Sequence, residues 1–409
     1  MDTNRKSPGL PLAVFVLGLA VFCIGTTEVM VSGLLPILSR DLDVSIPATG
    51  LLISGYAAGV VVGGPIFTLV FLKARRKKSV LLLVGLFVAG EALGAIAPNY
   101  SLLMTSRVLA ALAQGALFGI GSLLAVDLAG PDAKGRALAV MFGGLTIANV
   151  FGAPLGTLIG SQWGWRASFW MVAALAAVSL IAIAFVVPAQ SRPPYSGVRR
   201  EFGSFTNSRL WRALLVTALS QGGLFAAYSY FSPIFTEEAG FAQGAVPFLQ
   251  ALFGFGCFVG TIIGGRFTDR YLRQTLCFGL IALVLAMTSF ALLVESKIAA
   301  SISLAAFGIA AFSINPALQA QVINEAKSAA TLATTANTSA FNVGNTIGPW
   351  LGGVAIGAGL GFSSAVWVGA MLVTVALCIA LTTARHFENT ATTKSQKIQS
   401  PRRKELSND

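Results

Sequence analysis

Charge is scarce in this sequence. Of its 409 residues only 11% are Asp, Glu, Lys or Arg, while 55% are hydrophobic, and the mean hydropathy is +0.77. A soluble domain carries about 25% charged residues, so this composition excludes a soluble globular chain and implies a polytopic membrane protein. Histidine is scarcer still. The single one, His386, lies beyond the last apolar run, which excludes imidazole proton relays and histidine-based metal centres. The four cysteines, Cys23, Cys257, Cys277 and Cys378, sit in apolar runs without CxxC spacing and read as small core residues, neither disulfides nor ligands. There is also no nucleophile–base pair, metal cluster or phosphate-binding loop, so no enzyme, cofactor or metal site is expected. Arg5 and Lys6 before an apolar run mimic a signal peptide, but the run is too long and lacks an A-x-A cleavage site.

What is present is a series of twelve apolar spans bounded by charge, Pro or Gly. They cover 10–36, 47–72, 79–98, 101–126, 137–160, 166–188, 210–235, 245–266, 274–294, 298–323, 331–357 and 362–384. Placing both termini on one side puts 24 of the 28 Lys and Arg there, leaving only Arg40, Arg107, Arg166 and Lys297. This asymmetry predicts cytoplasmic termini and explains the +12 net charge without nucleic acid. The expected organisation is an N-terminal bundle of six spans (1–188), a polar cytoplasmic linker (189–209), a C-terminal bundle of six (210–386) and a disordered tail (387–409). Arg402, Arg403 and Lys404 in the tail would touch anionic lipid headgroups.

The two halves repeat each other. Pro36 matches Pro233 and Trp170 matches Trp367 at an offset of 197. Gly152 and Gly156 match Gly348 and Gly352 at 196, and Gly64 matches Gly265 at 201. A parallel repeat of two six-helix bundles is the layout of a rocking transporter whose substrate site lies between the halves near mid-membrane.

Span one carries a carboxylate, Glu28, inside an apolar run. An ionised side chain there costs at least about 2.5–3.5 kcal/mol, so a functional role is the default reading. At ~1.5 Å per residue it lies roughly 12 Å below the Pro36 end, too deep to reach water unless a cavity comes to it. The competing reading is a structurally hydrogen-bonded or snorkelling Glu. Arg107 is the second buried charge, ~10 Å deep in span four and near the level of Glu28, with Gln114 seven residues on along the same face. A cation beside a carboxylate favours its ionised form and burial favours the neutral one, an opposition that suits a proton carrier. The alternative is a static Glu28–Arg107 ion pair. Glu91 in span three reads as a structural hydrogen-bonding residue, with a part in transport as the alternative, and Asp127 at the end of span four as interfacial.

Several motifs lie at helix ends and on bare helix faces. Gly265-Arg-Phe-Thr-Asp269-Arg270 follows span eight, and its first-half counterpart Gly64-Pro-Ile-Phe-Thr68 has Thr in place of Asp. Span eleven contains Gly344-x3-Gly348-Pro349-x2-Gly352-Gly353, and span five the variant Gly152-Ala-Pro154-Leu-Gly156. The glycines, together with Gly160, recur every fourth residue and give each span one bare face for close backbone approach, with Pro permitting a bend. The same glycines could serve plain helix packing. Asp269 and Arg270 could latch one closed state or simply anchor the cytoplasmic side, and Thr68 predicts a weakened latch in the first half.

As a set, these motifs resemble those of the major facilitator superfamily. The stretches GTTEVMVSGLLP, GWRASFW, GGLFAAYSYFSPIFTEEAG and ANTSAFNVGNTIGPWLGG are similar to its twelve-span drug:proton antiporters, in the branch of chloramphenicol, arabinose-type and nucleoside exporters. The resemblance implies an all-α membrane protein with the major facilitator fold: twelve transmembrane helices in two pseudo-symmetric bundles, embedded as a monomer in the bacterial inner membrane. It implies proton-coupled efflux by alternating access, with Glu28 and Arg107 handling protons. The expected substrate is a small neutral or amphiphilic drug such as chloramphenicol, or alternatively an arabinose-like sugar or a purine nucleoside. Candidate cavity residues are Thr27, Ser32, Gln114, Asn149, Gln221, Phe225, Tyr228, Asn315 and Gln319. At offset 197 Glu28 pairs with Phe225, so the second half offers amides and aromatics, suited to an uncharged ligand or to ordinary interhelical bonding.

Overall fold

In the computed structural model, residues 10–71, 74–130, 133–189, 207–326 and 330–382 are described; most of the linker and tail expected above, with the basic cluster at 402–404, lie outside them. Helices make up the described chain: α1 Leu12–Asp41, α2 Ile46–Phe71, α3 Arg76–Ala95, α4 Tyr100–Ala129, α5 Lys134–Trp163, α6 Trp165–Val186, α7 Ser208–Tyr228, α8 Val246–Leu292, α9 Lys297–Ala326, α10 Ala330–Gly357 and α11 Ser364–Thr382. The starts follow local chemistry. Asn99 accepts the Leu102 N–H at 2.9 Å to open α4, and Asn207 accepts that of Arg209 at 3.0 Å to open α7. Gly164, at φ +87°, makes the left-handed turn between α5 and α6.

Ten helices among the described residues are long and apolar enough to cross a membrane, against twelve expected spans. Two physical features account for the difference. Helix α8 runs 47 residues, ~70 Å and more than twice a hydrocarbon core, and breaks at Tyr271 (φ −138°, ψ 51°), where two expected spans meet. Helix α10 carries Asn337, Asn342, Asn345 and several Thr, polar residues that interrupt its apolar stretch.

The glycine faces pack in the same way in both halves. On α5, a Cβ at Gly152, Gly156 or Gly160 would overlap Thr26, Met30 or Leu34 of α1, residues four apart. On α10, one at Gly344 or Gly348 would overlap the backbone of Ala218 or Gly222 on α7, and Gly352 lies against Ala226. The pairs Gly152–Thr26 and Gly348–Gly222 are related by 196 at both positions, so the repeat legible in sequence is a repeat of contacts. In that register the counterpart of Glu28 is Leu224 instead of Phe225, apolar either way. Before Pro154, helix α5 passes through a π turn at Ala148–Gly152, which absorbs the backbone bond that proline cannot make.

A second repeated device clamps helix ends. Asp41 closes α1 and accepts hydrogen bonds from Trp165 Nε1 at 2.6 Å and Arg166 Nη1 at 2.7 Å; Arg166 also donates to the Ala97 carbonyl at 2.9 Å. Offset by 197, Glu238 accepts from the backbone N–H of Ser363 at 3.0 Å and from its hydroxyl, just ahead of α11. At the opposite end, Arg76 pairs with Asp127 and Lys77 donates to the Ala184 carbonyl at 2.8 Å, tying α3 to α4 and α6. Asp127, expected to be interfacial, is an ion-pair partner. Gly64 abuts the Gly115 backbone where α2 crosses α4, while Thr68, Asp269 and Arg270 are exposed and Arg270 lies over the Tyr271 ring at 5.3 Å.

The first six helices pack on one another, and the halves meet along α2 with α10, α5 with α8, and α1 with the turn Phe231–Pro233. The meeting is tight toward the Asp41 end. There the Tyr230 side chain fills a notch left by Gly50 and Gly353 and donates to the Pro349 carbonyl at 2.8 Å. Tyr228 donates to the Val29 carbonyl at 3.4 Å, and Gln250 to Ser32 Oγ at 3.2 Å. At the other end Leu210, Ala213, Leu214, Val322, Ala326, Ala333 and Ala340 form a core of their own, separate from the main one.

Candidate functional site

Glu28 sits where the two halves face each other. It lies eight residues before Pro36 on α1 and, unlike its buried neighbours Thr27 and Val29, keeps part of its side chain exposed. Its carboxylate accepts from Gln114 Nε2 of α4 at 2.9 Å and from Asn345 Nδ2 of α10 at 3.2 Å. One carboxylate thus joins α1, α4 and the second half. A carboxylate away from bulk water needs such donors, since hydrogen bonds to a charged group contribute about 1.5–3 kcal/mol each.

Behind Gln114 lies a polar chain closed within the first half. Tyr56 of α2 donates to Gln114 Oε1, and the Arg107 guanidinium stacks over the Tyr56 ring at 4.0 Å from its centroid. Arg107 Nη1 donates to Thr27 Oγ1 at 2.7 Å, and Thr27 donates to Glu91 Oε1 at 2.9 Å. Arg107 and Glu91 are each 1% exposed. Glu28 and Arg107 do not form the direct ion pair that one reading of the sequence allowed: among the described residues the ion pairs are Arg76–Asp127 and Arg166–Asp41. Consecutive residues of α1 divide the labour, Glu28 bonding to Gln114 and, across the halves, to Asn345, and Thr27 to Glu91 of α3 and Arg107 of α4.

The remaining cavity candidates fall into four groups. Ser32 is buried at the closed end, donating to the Val29 carbonyl at 2.8 Å and accepting from Gln250. Asn149, partly exposed in the π turn of α5, donates to its own helix at Leu145 and lends its carbonyl to the contact with Gly254. In the second half the amides bond to other amides: Gln221 Nε2 to Asn315 Oδ1 at 3.0 Å, and Asn337 Nδ2 to Gln319 Oε1 at 2.6 Å. That is the interhelical role left open by the sequence, although Asn315 and Gln319 keep part of their surface exposed. Phe225 and Tyr228, 9% and 4% exposed, belong to a buried aromatic stack with Phe231, Phe253 and Phe307, with centroids 5.0–5.8 Å apart.

Asn345, Tyr56, Gln250 and Tyr230 escaped the sequence reading. Asn345 left a signal, being one of three Asn in an otherwise small and apolar span. Tyr56 left none.

Comparison with known proteins places this geometry. Residues 17–340 and 248–408 match the family model of the Major Facilitator Superfamily. The chain is 38% identical over 372 residues to the inner membrane transport protein YdhP of Escherichia coli O157:H7, covering 91% of this chain and 96% of that one. It is 32% identical over 378 residues to a chloramphenicol resistance protein of Streptomyces lividans, again covering 91% and 96%. Among solved structures, a bacterial homologue of the human lysosomal transporter Spinster, captured inward-facing and unoccupied, superimposes with a TM-score of 0.75 at 16% identity over 95% of this chain and 99% of that one. A multi-pass helical membrane protein with a carboxylate between two repeated halves, this chain belongs to the major facilitator superfamily.

Proposed function

We propose that this transporter is a proton-coupled exporter of a small neutral or amphiphilic compound, of the chloramphenicol type, working by alternating access in a bacterial inner membrane. The observation that carries the reading is Glu28: a partly exposed carboxylate held at once by Gln114 of the first half and Asn345 of the second. Tilting the halves apart must break the Asn345 bond, so protonation of Glu28 and the position of the halves are linked.

The chain crosses the membrane twelve times in this reading, α8 counting twice across its Tyr271 break and α10 adding the crossing that its amides obscure. The clustering of Lys and Arg puts the termini and the Arg76–Asp127 end in the cytoplasm. The closed Asp41 end is then periplasmic, and its tight packing supports reading this state as inward-facing. Glu28 takes a proton from outside, releases it inside, and substrate competes with the protonated state against the aromatic stack at Phe225 and Tyr228. One charge moving down 100 mV supplies ~2.3 kcal/mol, enough for roughly a 50-fold gradient before any pH term. The absence of a second-half counterpart to Glu28 supports an uncharged substrate.

A resistance panel on an efflux-deficient host carrying this chain tests the substrate class. Raised tolerance to chloramphenicol but not to pentoses or purine nucleosides is expected. Tolerance confined to the sugars or nucleosides would replace the drug reading with the alternative exporter class.

A further inference from the structure

Glu91 is a second carboxylate buried in the first half, and the mechanism above does not use it. It lies on α3, 1% exposed, facing α1 and α4 and away from the gap between the halves. Its Oε1 accepts the one proton that the Thr27 hydroxyl can give, at 2.9 Å, while its Oε2 meets no partner. Thr27 oxygen in turn accepts from Arg107 Nη1 at 2.7 Å, and Arg107 Nε and Nη2 are likewise unpartnered. A guanidinium keeps its charge in a protein, and a charge this deeply buried needs an anion close to it. Glu28 cannot be that anion throughout a cycle in which it binds and releases a proton. The chain Glu91–Thr27–Arg107 supplies another.

We propose that Glu91 is the standing counter-anion of Arg107, ionised in every state, so that the proton is exchanged on Glu28 alone and the buried cluster is neutral when Glu28 is protonated. This rests on the reading of Glu28 as the proton carrier. Glu91 acts through Arg107 and Thr27 and is a positioning residue. The groups facing the pair of carboxylates are Cys23 on α1, Tyr56 on α2 and Arg107 on α4; Phe169 of α6 brings no charge, and Tyr228 and Asn345 of the second half face Glu28. The sign follows from counting. With Glu91→Gln, the cluster carries one uncompensated positive charge whenever Glu28 is protonated. Losing that proton restores neutrality, so Glu28 releases it more readily.

Infrared titration of the protonated-carboxyl band of the purified full chain tests this, with Glu28→Gln identifying the Glu28 component. In Glu91→Gln the Glu28 midpoint is expected to fall by about one pH unit, a tenfold change, while Glu91→Asp, which keeps the charge, stays within a few tenths of wild type. A merely structural Glu91 would leave the midpoint of the Gln variant unmoved, because Gln still accepts from Thr27, and that result would overturn the proposal. Should Glu91→Gln fail to fold, Glu28→Gln decides: it must show no further carboxyl titrating over the working range, and a remaining band whose frequency shifts in the Glu28→Gln/Glu91→Asp double variant overturns the assignment. A wild-type spectrum with no component sensitive to Glu28→Gln would remove the carrier itself, an outcome distinct from an unmoved midpoint.

Discussion

At the residue scale, the work is divided between neighbours on one turn of α1. Glu28 reaches Asn345 of the second half and Thr27 reaches Arg107 and Glu91, because consecutive helical positions point about 100° apart. Asn345 is the partner whose loss should be felt across the halves. Asn345→Ala removes one donor from a partly exposed carboxylate, so folding stability should fall by no more than about 1–2 kcal/mol, while gradient-driven transport drops at least several-fold. A thermal melt and a transport rate measured on the same preparation check both. Arg107→Lys should be more damaging, since lysine keeps the charge but loses the planar stack over Tyr56 and the reach to Thr27; a tenfold or greater loss of transport with the fold intact is expected. The carboxylate and the guanidinium were legible in sequence because charge is conspicuous in an apolar run. Their connection was not. It passes through Tyr56, whose hydroxyl is unremarkable in sequence, and through Thr27, whose role depends on which way one turn of helix faces.

At the element scale, small residues set how closely helices approach. Gly156 on α5 leaves room for Met30 of α1, and a leucine there has nowhere to go. Gly156→Leu should overpack this crossing by about 1–3 kcal/mol and arrest transport. Gly143 offers an internal control, because it lies on the same helix with open space around it. Gly143→Ala should leave transport unchanged and the melting temperature equal to or above wild type, as expected for alanine in a helix. Equal damage from both substitutions would show that α5 is sensitive to any change and not to this contact. The bare faces were readable from fourfold spacing alone, whereas the clamps at Asp41 and Glu238 were not, since an acid after an apolar run looks like any helix end. Only the fold shows both acids gripping the start of a later helix at the same offset.

At the scale of the whole molecule, two halves that repeat their glycine faces and helix-end clamps meet along a seam that is tight at one end. Opening that end must withdraw Tyr230 from the notch between Gly50 and Gly353 and break Tyr228–Val29 and Gln250–Ser32. Among the described residues only a few hydrogen bonds cross between the halves, which would let a seam of this kind open and close. Gln250→Ala together with Tyr228→Phe should therefore lengthen the mean separation of spin labels at Pro98 and Ala242, on the loops of the two halves at that end. An unchanged distance distribution would mean that the seam is held elsewhere.

The most direct test of the account as a whole is made in everted vesicles carrying the full chain, energised to acidify their interior and followed with a pH-sensitive dye. Chloramphenicol should dissipate the pH difference with the wild-type protein and leave it standing with Glu28→Gln, the two proteins being present at equal amounts. If Glu28→Gln vesicles lose their pH difference on adding chloramphenicol as fully as wild type, then the proton does not travel on Glu28.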